Sequence, residues 1–370
     1  MEDLDSANRG LFEVTPGIYQ VRFKKDYYIT FIQGESGWIC VDAFISTPYF
    51  ETAKQILDEY FGKKDISGIV YSHGHEVKTL GLEGKHSLES QLIDGVHFDF
   101  IMVSKEANFP QYIFFLPCFN AIYTAEAISN IYFSGYSTFK DIKTLICGLD
   151  TLLQHFSNDI AVIFMSRHFP IRGNIECIKH LKLNRDLYKY IHDQTFALAK
   201  QGHKPNKIIN NLAVSNEMSQ IWKSMINKEK LSLIVKDVYE KYLNFCADGP
   251  NGIHSLSNIE SSLTANSVEM LLETLCLRVN TKVAFNKNIT LNVHVTDIGK
   301  TYKLKLKNSV LNFRETFNLI DDHTALFLDA SELKNLILFA PNYTFDSIKC
   351  KTLGNDKEVQ EFIVSFFPYI

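Results

Sequence analysis

Imidazole and carboxylate side chains follow several of the β-strands that this sequence predicts. His73 and His75 come directly after a short apolar strand at residues 69–71. Three further candidates lie at or just after predicted strand ends: Glu106, Glu126 and His168. Imidazole and carboxylate are the ligand types that hold zinc in hydrolytic sites, and two histidines at i and i+2 in a loop can converge on one ion. From the spacing alone, two loop histidines with solvent or backbone partners are the favoured interpretation, and the other strand-end candidates are what point to a metal site.

The elements that must bring these side chains together are predicted strands alternating with helices. The strands cover residues 18–23, 27–33, 37–42, 69–71, 98–103, 113–116, 121–124 and 160–165. One helix has Thr47 as its N-cap, Pro48 in its first turn and Gly62 after its end, and a second covers residues 137–156. This order predicts an α/β fold in which the first domain is an αββα sandwich. α/β proteins commonly place their sites at the carboxyl ends of such strands.

The rest of the chain changes character twice. Apolar residues recur at helical spacing from residue 179 to about 245, which predicts an all-α segment, and the sequence DGPNG at 248–252 ends it. An α+β part follows. It contains a helix capped by Asn266 and Glu269, strands at 289–295 and 302–306 that alternate strictly, and a helix at 331–339. We therefore predict three domains: residues 1–178, 179–258 and 259–370.

Composition and charge exclude several classes of function. The chain is 46% apolar and 22% charged with a net charge of −4, which is typical of a soluble globular protein and gives no attraction to nucleic acid. We expect no membrane span and no signal peptide, because no apolar stretch is long enough and residues 1–9 are polar. The seven cysteines include no CxxC pair and are odd in number, which predicts buried thiols in a reducing compartment. A cytoplasmic protein is the resulting expectation.

Four segments carry a resemblance to a known family. They are LFEVTPGIYQVR at 11–22, TFI followed by GWICVD within 30–42, LNRDLYKYIHDQT at 183–195, and VKDVYEKYL at 235–243. With them the chain resembles the zinc-dependent alkylsulfatases, a branch of the metallo-β-lactamase superfamily, over nearly its whole length. The resemblance implies a metallo-β-lactamase-like domain, then a helical dimerisation domain, then a C-terminal domain similar to sterol carrier protein 2.

The resemblance also implies which residues bind metal. The metal loop of the family reads HxHxDH, and the same positions here are His73, His75, Val77 and Lys78. Its first zinc takes two loop histidines and a glutamate, for which His73, His75 and Glu106 remain. Its second zinc would keep only Glu126 and His168, because Val77 and Lys78 replace its aspartate and its loop histidine. Arg167 stands in place of one of two paired histidines, which leaves His168 as the only candidate for the last ligand. We therefore expect one zinc ion, with a second site doubtful.

Sulfate binding is where this chain departs furthest from the family. Matching the family's HNIY to residues 129–132 makes Asn130 a substrate-binding candidate, but puts Gly135 where the family has an arginine. Leu233 and Ile234 replace the polar residues of a later Ser-His-Asn segment. A sulfate ester is an anion that needs charged or hydrogen-bonding donors. Hydrolysis of dodecyl sulfate should therefore be very weak or absent.

The ammonium group of Lys78 is a candidate to replace the second metal ion electrostatically. It occupies the position of a histidine ligand, and Glu126 would otherwise be a carboxylate without its ion, which needs a positive partner. A lysine that simply extends into solvent is the alternative.

Two functions of different classes follow from these features. The first is metal-dependent hydrolysis of a sulfate ester with an apolar tail, with altered activity. The second is a catalytically inactive relative that binds a lipid or a partner protein. The expected partners are a second copy of the chain, in a homodimer, and an amphiphilic small molecule or lipid. No catalytic residue is assigned beyond the ligands.

Two polar features admit a structural and a functional interpretation. Asp42, at a strand end, would either orient a metal-ligating histidine or cap a turn. For the segment HDQT at 192–195 we favour a buried hydrogen-bond network over an acid–base set.

Overall fold

The computed structural model describes most of the chain. The described residues are 10–23, 28–43, 47–72, 88–104, 110–125, 128, 142–166, 168–225, 228–247, 267–317, 324–339 and 350–366. The chain divides into two compact units, Met1–Arg185 and Asp186–Ile370. The three-domain division with boundaries near 178 and 258 stays a prediction.

The first sheet of the first unit has five strands in chain order. These are β1 (Gly10–Thr15), β2 (Ile18–Arg22), β3 (Tyr28–Gln33), β4 (Trp38–Val41) and β5 (Ile66–Val70). Neighbouring strands are antiparallel except β4 and β5, which are parallel and joined by helix α1 (Pro48–Phe61). Thr47 Oγ1 accepts a hydrogen bond from the backbone N–H of Phe50, and Gly62 follows the helix with a φ of 78°. The predicted helix is confirmed together with both of its end signals.

The second sheet has six strands in the order β11-β10-β9-β8-β7-β6. They are β6 (Leu88–Ile93), β7 (Val96–Ser104), β8 (Gln111–Leu116), β9 (Ala121–Tyr123), β10 (Val162–Phe164) and β11 (Ile171–Arg172). Only β9 and β10 pair in parallel. The sequence does not predict β6, because this edge strand is partly exposed along its length and has a weak apolar pattern.

Helix α2 (Ile142–Phe156) packs on the outer face of the second sheet, over β7. Its close approach requires Gly148, where a Cβ atom would lie only 2.7 Å from the carbonyl oxygen of Met102. Between the sheets lies a core with side chains from both, including Val14, Ile18, Ile32, Val41, Phe98, Phe100, Phe114 and Phe164. Helix α1 covers the other face of the first sheet, where Ala53 and Leu57 pack against Phe31 and Trp38. The predicted α/β class and αββα arrangement are confirmed.

Cysteine burial agrees only in part with the expectation of buried thiols. The free cysteines Cys40, Cys177 and Cys276 are buried. Cys118 and Cys147 are exposed, because Cys118 lies on the short 3-10 turn after β8 and Cys147 lies on the face of α2 away from the sheet.

Helices follow the sandwich, as the sequence predicts. They are α3 (Asn174–Lys200), α4 (Pro205–Asn211), α5 (Asn216–Met225) and α6 (Lys228–Ala247). Helix α3 begins before the predicted start at residue 179, because the Asn174 side chain ties its first turn to the preceding chain. Asn174 Nδ2 donates to the carbonyl oxygens of Ser157 and Ile160 at 2.7 and 2.8 Å.

The C-terminal part contains a sheet in the order β14-β13-β12-β15-β16. Its elements are α7 (Val268–Cys276), α8 (Thr281–Ala284), β12 (Asn288–Val295), β13 (Lys300–Lys307), β14 (Val310–Thr316), β15 (Thr324–Leu328), α9 (Ala330–Phe339), β16 (Lys351–Leu353) and α10 (Asp356–Ile363). The predicted alternation in β12 and β13 is confirmed, and the inward residues pack with α7, α9 and α10 into one core. The predicted cap is wrong by one residue: Ser267, not Asn266, accepts the hydrogen bond from the backbone of Met270, because its hydroxyl is at the N-cap position of α7.

Asp186, a buried carboxylate of α3, lies at the centre of a polar network in the second unit. It accepts hydrogen bonds from Asn308 Nδ2 and Asn312 Nδ2, each at 3.1 Å. Asn308 Oδ1 accepts from Ser215 Oγ at 3.0 Å. Asn308 has a φ of 57° in the turn between β13 and β14, a conformation that asparagine tolerates well. The network therefore joins helix α3 to the hairpin of the C-terminal sheet.

The carboxylate of Asp193, two helical turns after Asp186 on α3, also has hydrogen-bond partners. Lys189 Nζ and His192 Nδ1 each lie 2.8 Å from its carboxylate oxygens. Burial alone would raise the pKa of Asp193, but the charge of Lys189 and the hydrogen bond with His192 hold it below its ordinary value. Gln194 Nε2 donates to the carbonyl oxygen of Val279 at 3.1 Å. Residues 192–194 thus form a buried hydrogen-bond network, as favoured from the sequence, whereas Thr195 Oγ1 is buried and makes no hydrogen bond to the described residues. The segment continues α3 and does not interrupt it.

Candidate active site

The strands that precede the five predicted ligands end at one edge of the sandwich. In the first sheet β4 and β5 are parallel, so Asp42 and Ser72 follow them at the same end. In the second sheet β8 is antiparallel to both β7 and β9, and β10 is parallel to β9. The carboxyl ends of β7, β9 and β10 therefore also lie together.

Three hydrogen bonds show that the two sheets present this edge jointly. The hydroxyl of Tyr123, the last residue of β9, donates to Asp42 Oδ2 at 2.8 Å. The backbone N–H of Tyr112, in β8, donates to the carbonyl oxygen of Ser72 at 2.8 Å. Gln20 Nε2, in β2, donates to the carbonyl oxygen of Met165 at the end of β10, at 2.9 Å. We call the edge carrying Arg22, Asp42, Ser72, Thr124 and Ser166 the polar edge.

Asp42 fixes the residue from which the predicted metal loop begins. Its Oδ1 accepts from the backbone N–H of Ser72 at 2.7 Å, and its Oδ2 accepts from Ser72 Oγ at 2.6 Å. Asp42 has a φ of 51°, which is unfavourable for most residues with a side chain and is tolerated best by Asn and Asp. The carboxylate thus anchors the start of the loop that carries His73.

Two hydroxyl groups of the polar edge are buried and make no hydrogen bond within the described residues. They are Thr124 Oγ1, after β9, and Ser166 Oγ, after β10. Because β9 and β10 are adjacent and parallel, these hydroxyls lie at neighbouring strand ends. A buried polar atom without a partner is costly and is typical of places where water, an ion or a substrate group binds. The polar edge therefore has the character of a binding site.

His168 is the one predicted ligand that the structure describes. It lies in the turn between β10 and β11, and its Nε2 atom is buried. His180, on α3, lies near enough to interact with it electrostatically. Burial lowers the pKa of His180 to about 4, with a smaller contribution from His168, so His180 is a neutral imidazole at neutral pH. The sequence analysis did not identify His180, since a histidine at helical spacing resembles any half-buried helix residue.

The other candidates lie outside the described residues. These are His73, His75, Lys78, Glu106, Glu126 and Asn130, together with Val77, Gly135 and Arg167. Within the described part of the chain, no group of three or more histidine, cysteine, aspartate or glutamate side chains could hold a metal ion. Leu233 and Ile234 are described on α6, where Ile234 is buried and Leu233 is 45% exposed. No helix among the described residues is long and apolar enough to cross a membrane.

The ligand set implied by the sequence fits a zinc ion at the polar edge. Imidazole and carboxylate side chains suit zinc, and their preceding strands end where unpaired buried hydroxyls lie. The sequence analysis did not identify Gln20, Arg22 or Tyr123 as part of this edge. The sequence pattern that could have identified them is a polar residue on the inward face of an otherwise apolar strand.

Comparison with known proteins identifies one matching family and several similar proteins. Residues 258–367 match the family described as Alkyl sulfatase C-terminal. The chain is 22% identical to the alkyl/aryl-sulfatase BDS1 of Saccharomyces cerevisiae over 335 residues, which cover 68% of this chain and 51% of that protein. It is also 22% identical to a linear primary-alkylsulfatase of Pseudomonas sp over 325 residues, 65% of this chain and 48% of that protein. The chain thus spans about half the length of these relatives.

A solved structure shares the fold of this chain. The inverting sec-alkylsulfatase Pisa1 from Pseudomonas sp. matches with a TM-score of 0.55 and 16% identity, covering 97% of this chain and 84% of that chain. Together these findings confirm the resemblance to the alkylsulfatases that the sequence motifs predict.

Proposed function

We propose that this protein hydrolyses a sulfate ester that has an apolar tail, with one zinc ion as cofactor. The observation that carries the proposal is the polar edge, where the strands preceding all five candidate ligands end together. The alkylsulfatase relatives supply the reaction class. The inactive, lipid-binding alternative has no comparable support, because the apolar face of β12 and β13 is filled by helices.

His73, His75 and Glu106 are the proposed ligands of the zinc. These three residues would hold the ion and leave one position open, and the ion would supply Lewis-acid activation of water and stabilisation of negative charge. This chain contributes the orientation of the ligands. Asp42 holds Ser72 by two hydrogen bonds, so His73 starts from a fixed backbone position. Positioning of this kind accounts for a large part of catalysis in hydrolytic sites.

Lys78 is proposed to take the place of a second metal ion beside Glu126. His168 would then be a site residue without a tightly bound ion of its own. Changing Val77→Asp together with Lys78→His restores the ligand types of the family, so zinc content should rise from one toward two equivalents per chain. Elemental analysis checks this. Two equivalents in the unchanged protein, or no gain in the double variant, would contradict the role given to Lys78.

The substrate is proposed to be bound partly by Asn130, and weakly at its sulfate group. Gly135, Leu233 and Ile234 lack the polar groups expected there. Removing one donor from a transition state typically lowers the rate about a hundredfold or more. Dodecyl sulfate should therefore be a poor substrate, and a different sulfate ester should be better.

The test is sulfate release from a panel of alkyl and aryl sulfate esters. We expect slow turnover by the unchanged protein and none by His73→Ala. The matched control is His192→Ala, which removes an imidazole from the α3 network and should leave turnover unchanged. Equal turnover by all three proteins, or turnover by none on any ester, would contradict the proposal.

Two partners are also proposed. The first is a second copy of the chain, bound through the helical segment, because residues 187–198 and 235–243 resemble the dimerisation helices of the alkylsulfatases. Light scattering should give the mass of a dimer, and a monomer alone at micromolar concentrations would contradict this. The second is a long-chain amphiphile, which on this proposal is the sulfate ester itself and not a ligand of the C-terminal core, because helices fill that core. Displacement of a fluorescent fatty acid from the full chain would detect its binding.

A further inference from the structure

Polar side chains replace apolar ones on the inward face of β2 as this strand approaches the polar edge. On this face Ile18 belongs to the core between the sheets. Gln20 and Arg22 follow at the two-residue spacing of a strand and are only 0% and 3% exposed. Burying an amide and a guanidinium group is unfavourable unless they have partners. Their partners therefore indicate what these side chains do.

Gln20 links the first sheet to the strand that leads to His168. Its Nε2 donates to the carbonyl oxygen of Met165 at 2.9 Å and to Thr30 Oγ1 at 3.2 Å. Its Oε1 accepts from Arg22 Nη2 at 3.1 Å. A carbonyl oxygen on one side and a guanidinium donor on the other allow the amide one orientation. Gln20 thus fixes the backbone on the N-terminal side of His168.

Arg22 holds the chain on the other side of His168. Its Cζ atom lies 4.3, 4.8 and 4.9 Å from the ring centroids of Phe12, Tyr28 and Phe169. Ring faces attract a guanidinium group electrostatically, and the attraction is stronger where water is excluded. Arg22 Nε is buried and makes no hydrogen bond to the described residues, so these rings are a main stabilisation of the cation. The Phe169 ring is 55% exposed, and Arg22 gives it a fixed contact.

We propose that Gln20 and Arg22 are positioning residues for His168. Met165 and Phe169 flank this histidine, and each is held by one of the two side chains, which are themselves hydrogen-bonded to each other. The chain on each side of the imidazole is therefore held by one contact to this pair. The inference rests on the proposed function for the role of His168 at the site, but the positioning itself is measurable in metal-free protein.

The experiment follows the His168 ring by NMR in the full chain with isotope-labelled histidine, the signal being assigned with His168→Gln. Gln20→Glu keeps the shape of the side chain but removes the donor to Met165. Arg22→Met keeps its length but removes the charge and the hydrogen bond to Gln20. Thr30→Val is the matched control, because it removes the hydrogen bond of Gln20 that leads away from His168.

We expect the His168 signal of metal-free protein to shift and broaden in Gln20→Glu and Arg22→Met, and to stay unchanged in Thr30→Val. Arg22→Lys, which keeps the charge, should give an intermediate signal and is the variant to use if Arg22→Met does not fold. In active protein, kcat for the best ester should fall about tenfold or more in the first two variants, with little change in KM.

An unchanged His168 signal in both Gln20→Glu and Arg22→Met would overturn the inference. So would an equal change in Thr30→Val, because the cluster would then be a general packing element. The outcome is independent of the proposed function. A protein that hydrolyses no ester but shows the expected changes in the His168 signal would contradict the function and retain the positioning.

Discussion

Buried polar groups occur both on helix α3 and at the polar edge, but their hydrogen bonding differs. On α3, the carboxylates of Asp186 and Asp193 are each bonded by two neighbouring side chains, although Asn184 Oδ1 and Thr195 Oγ1 of the same helix are buried without a hydrogen bond to the described residues. At the polar edge, Thr124 and Ser166 carry buried hydroxyls without partners in the described part of the chain. A satisfied network stabilises one structure, whereas unsatisfied polar atoms at converging strand ends are suited to bind something else. We therefore propose a structural role for the two carboxylates of α3 and a binding role for the polar edge, where the unpaired hydroxyls lie at converging strand ends.

Removing the carboxylate of Asp186 should have the largest effect on stability. Asp186→Ala leaves Asn308 and Asn312 with buried donors that have lost their acceptor, and each such group costs about 1–3 kcal/mol. We expect a loss of about 3 kcal/mol in the free energy of unfolding, measured by urea titration, and no change in zinc content. Glu240→Ala, at an exposed position of α6, is the control and should change stability by less than about 0.5 kcal/mol. Loss of zinc in Asp186→Ala would contradict a purely structural role for the α3 carboxylate.

Asp42→Asn should change metal binding more than stability. Asparagine tolerates the positive φ of this position and keeps one acceptor for the backbone of Ser72. It replaces the acceptor for the hydroxyls of Ser72 and Tyr123 by a donor. We expect a loss of about 1 kcal/mol in stability and a decrease of about tenfold or more in zinc affinity. Competition with a chromophoric chelator measures the affinity. An unchanged affinity would show that Asp42 has no role in metal binding.

Asp94 provides the matched carboxylate at the opposite end of the first sheet. It accepts hydrogen bonds from Ser67 Oγ at 2.5 Å, from Ser36 Oγ at 2.7 Å and from the backbone N–H of Gly37 at 3.1 Å. The bond from Ser67 is the largest cause, followed by that from Ser36, of a pKa lowered to about 2. Asp94→Asn should leave zinc affinity unchanged, which makes it the control for Asp42→Asn.

Asp94→Asn also gives the smallest predicted effect, which is a change in how the stability of the fold depends on pH. A carboxyl whose pKa is lower in the folded than in the unfolded chain stabilises the fold above its ordinary pKa, and this contribution is lost as the pH falls further. The contribution of Asp94 should be complete above about pH 4 and disappear toward pH 2. Thermal melting between these values should therefore depend less on pH in Asp94→Asn. An identical pH dependence in both proteins would contradict the contribution of Asp94.

Local signals were enough to predict much of the fold. Thr47, Pro48 and Gly62 define α1 because capping and the conformational freedom of glycine act within a few residues. The alternation in β12 and β13 predicts strands because one face of the sheet is buried. Asn266 was chosen as a cap over Ser267 because both residues can cap a helix and their patterns overlap. β6 was missed because an edge strand needs few apolar residues.

The candidate site could be predicted only in part, because it depends on contacts between distant segments. The ligand types and their strand-end positions were readable from the sequence. The hydrogen bonds from Gln20 to Met165 and from Tyr123 to Asp42 were not, because they depend on how the two sheets face each other. Polar residues in a strand, such as Gln20 and Arg22, do not by themselves indicate a site, because either face of the strand can be polar until the opposing sheet is known.

Zinc content of the purified full chain tests the central claim most directly. The account predicts about one tightly bound zinc per chain in the unchanged protein after dialysis against a weak chelator. His73→Ala should lose it, whereas His192→Ala, which removes an imidazole from the satisfied network on α3, should keep it. Elemental analysis of the three proteins decides the matter. An unchanged protein without zinc, or equal zinc in all three proteins, would contradict a metal site at the polar edge.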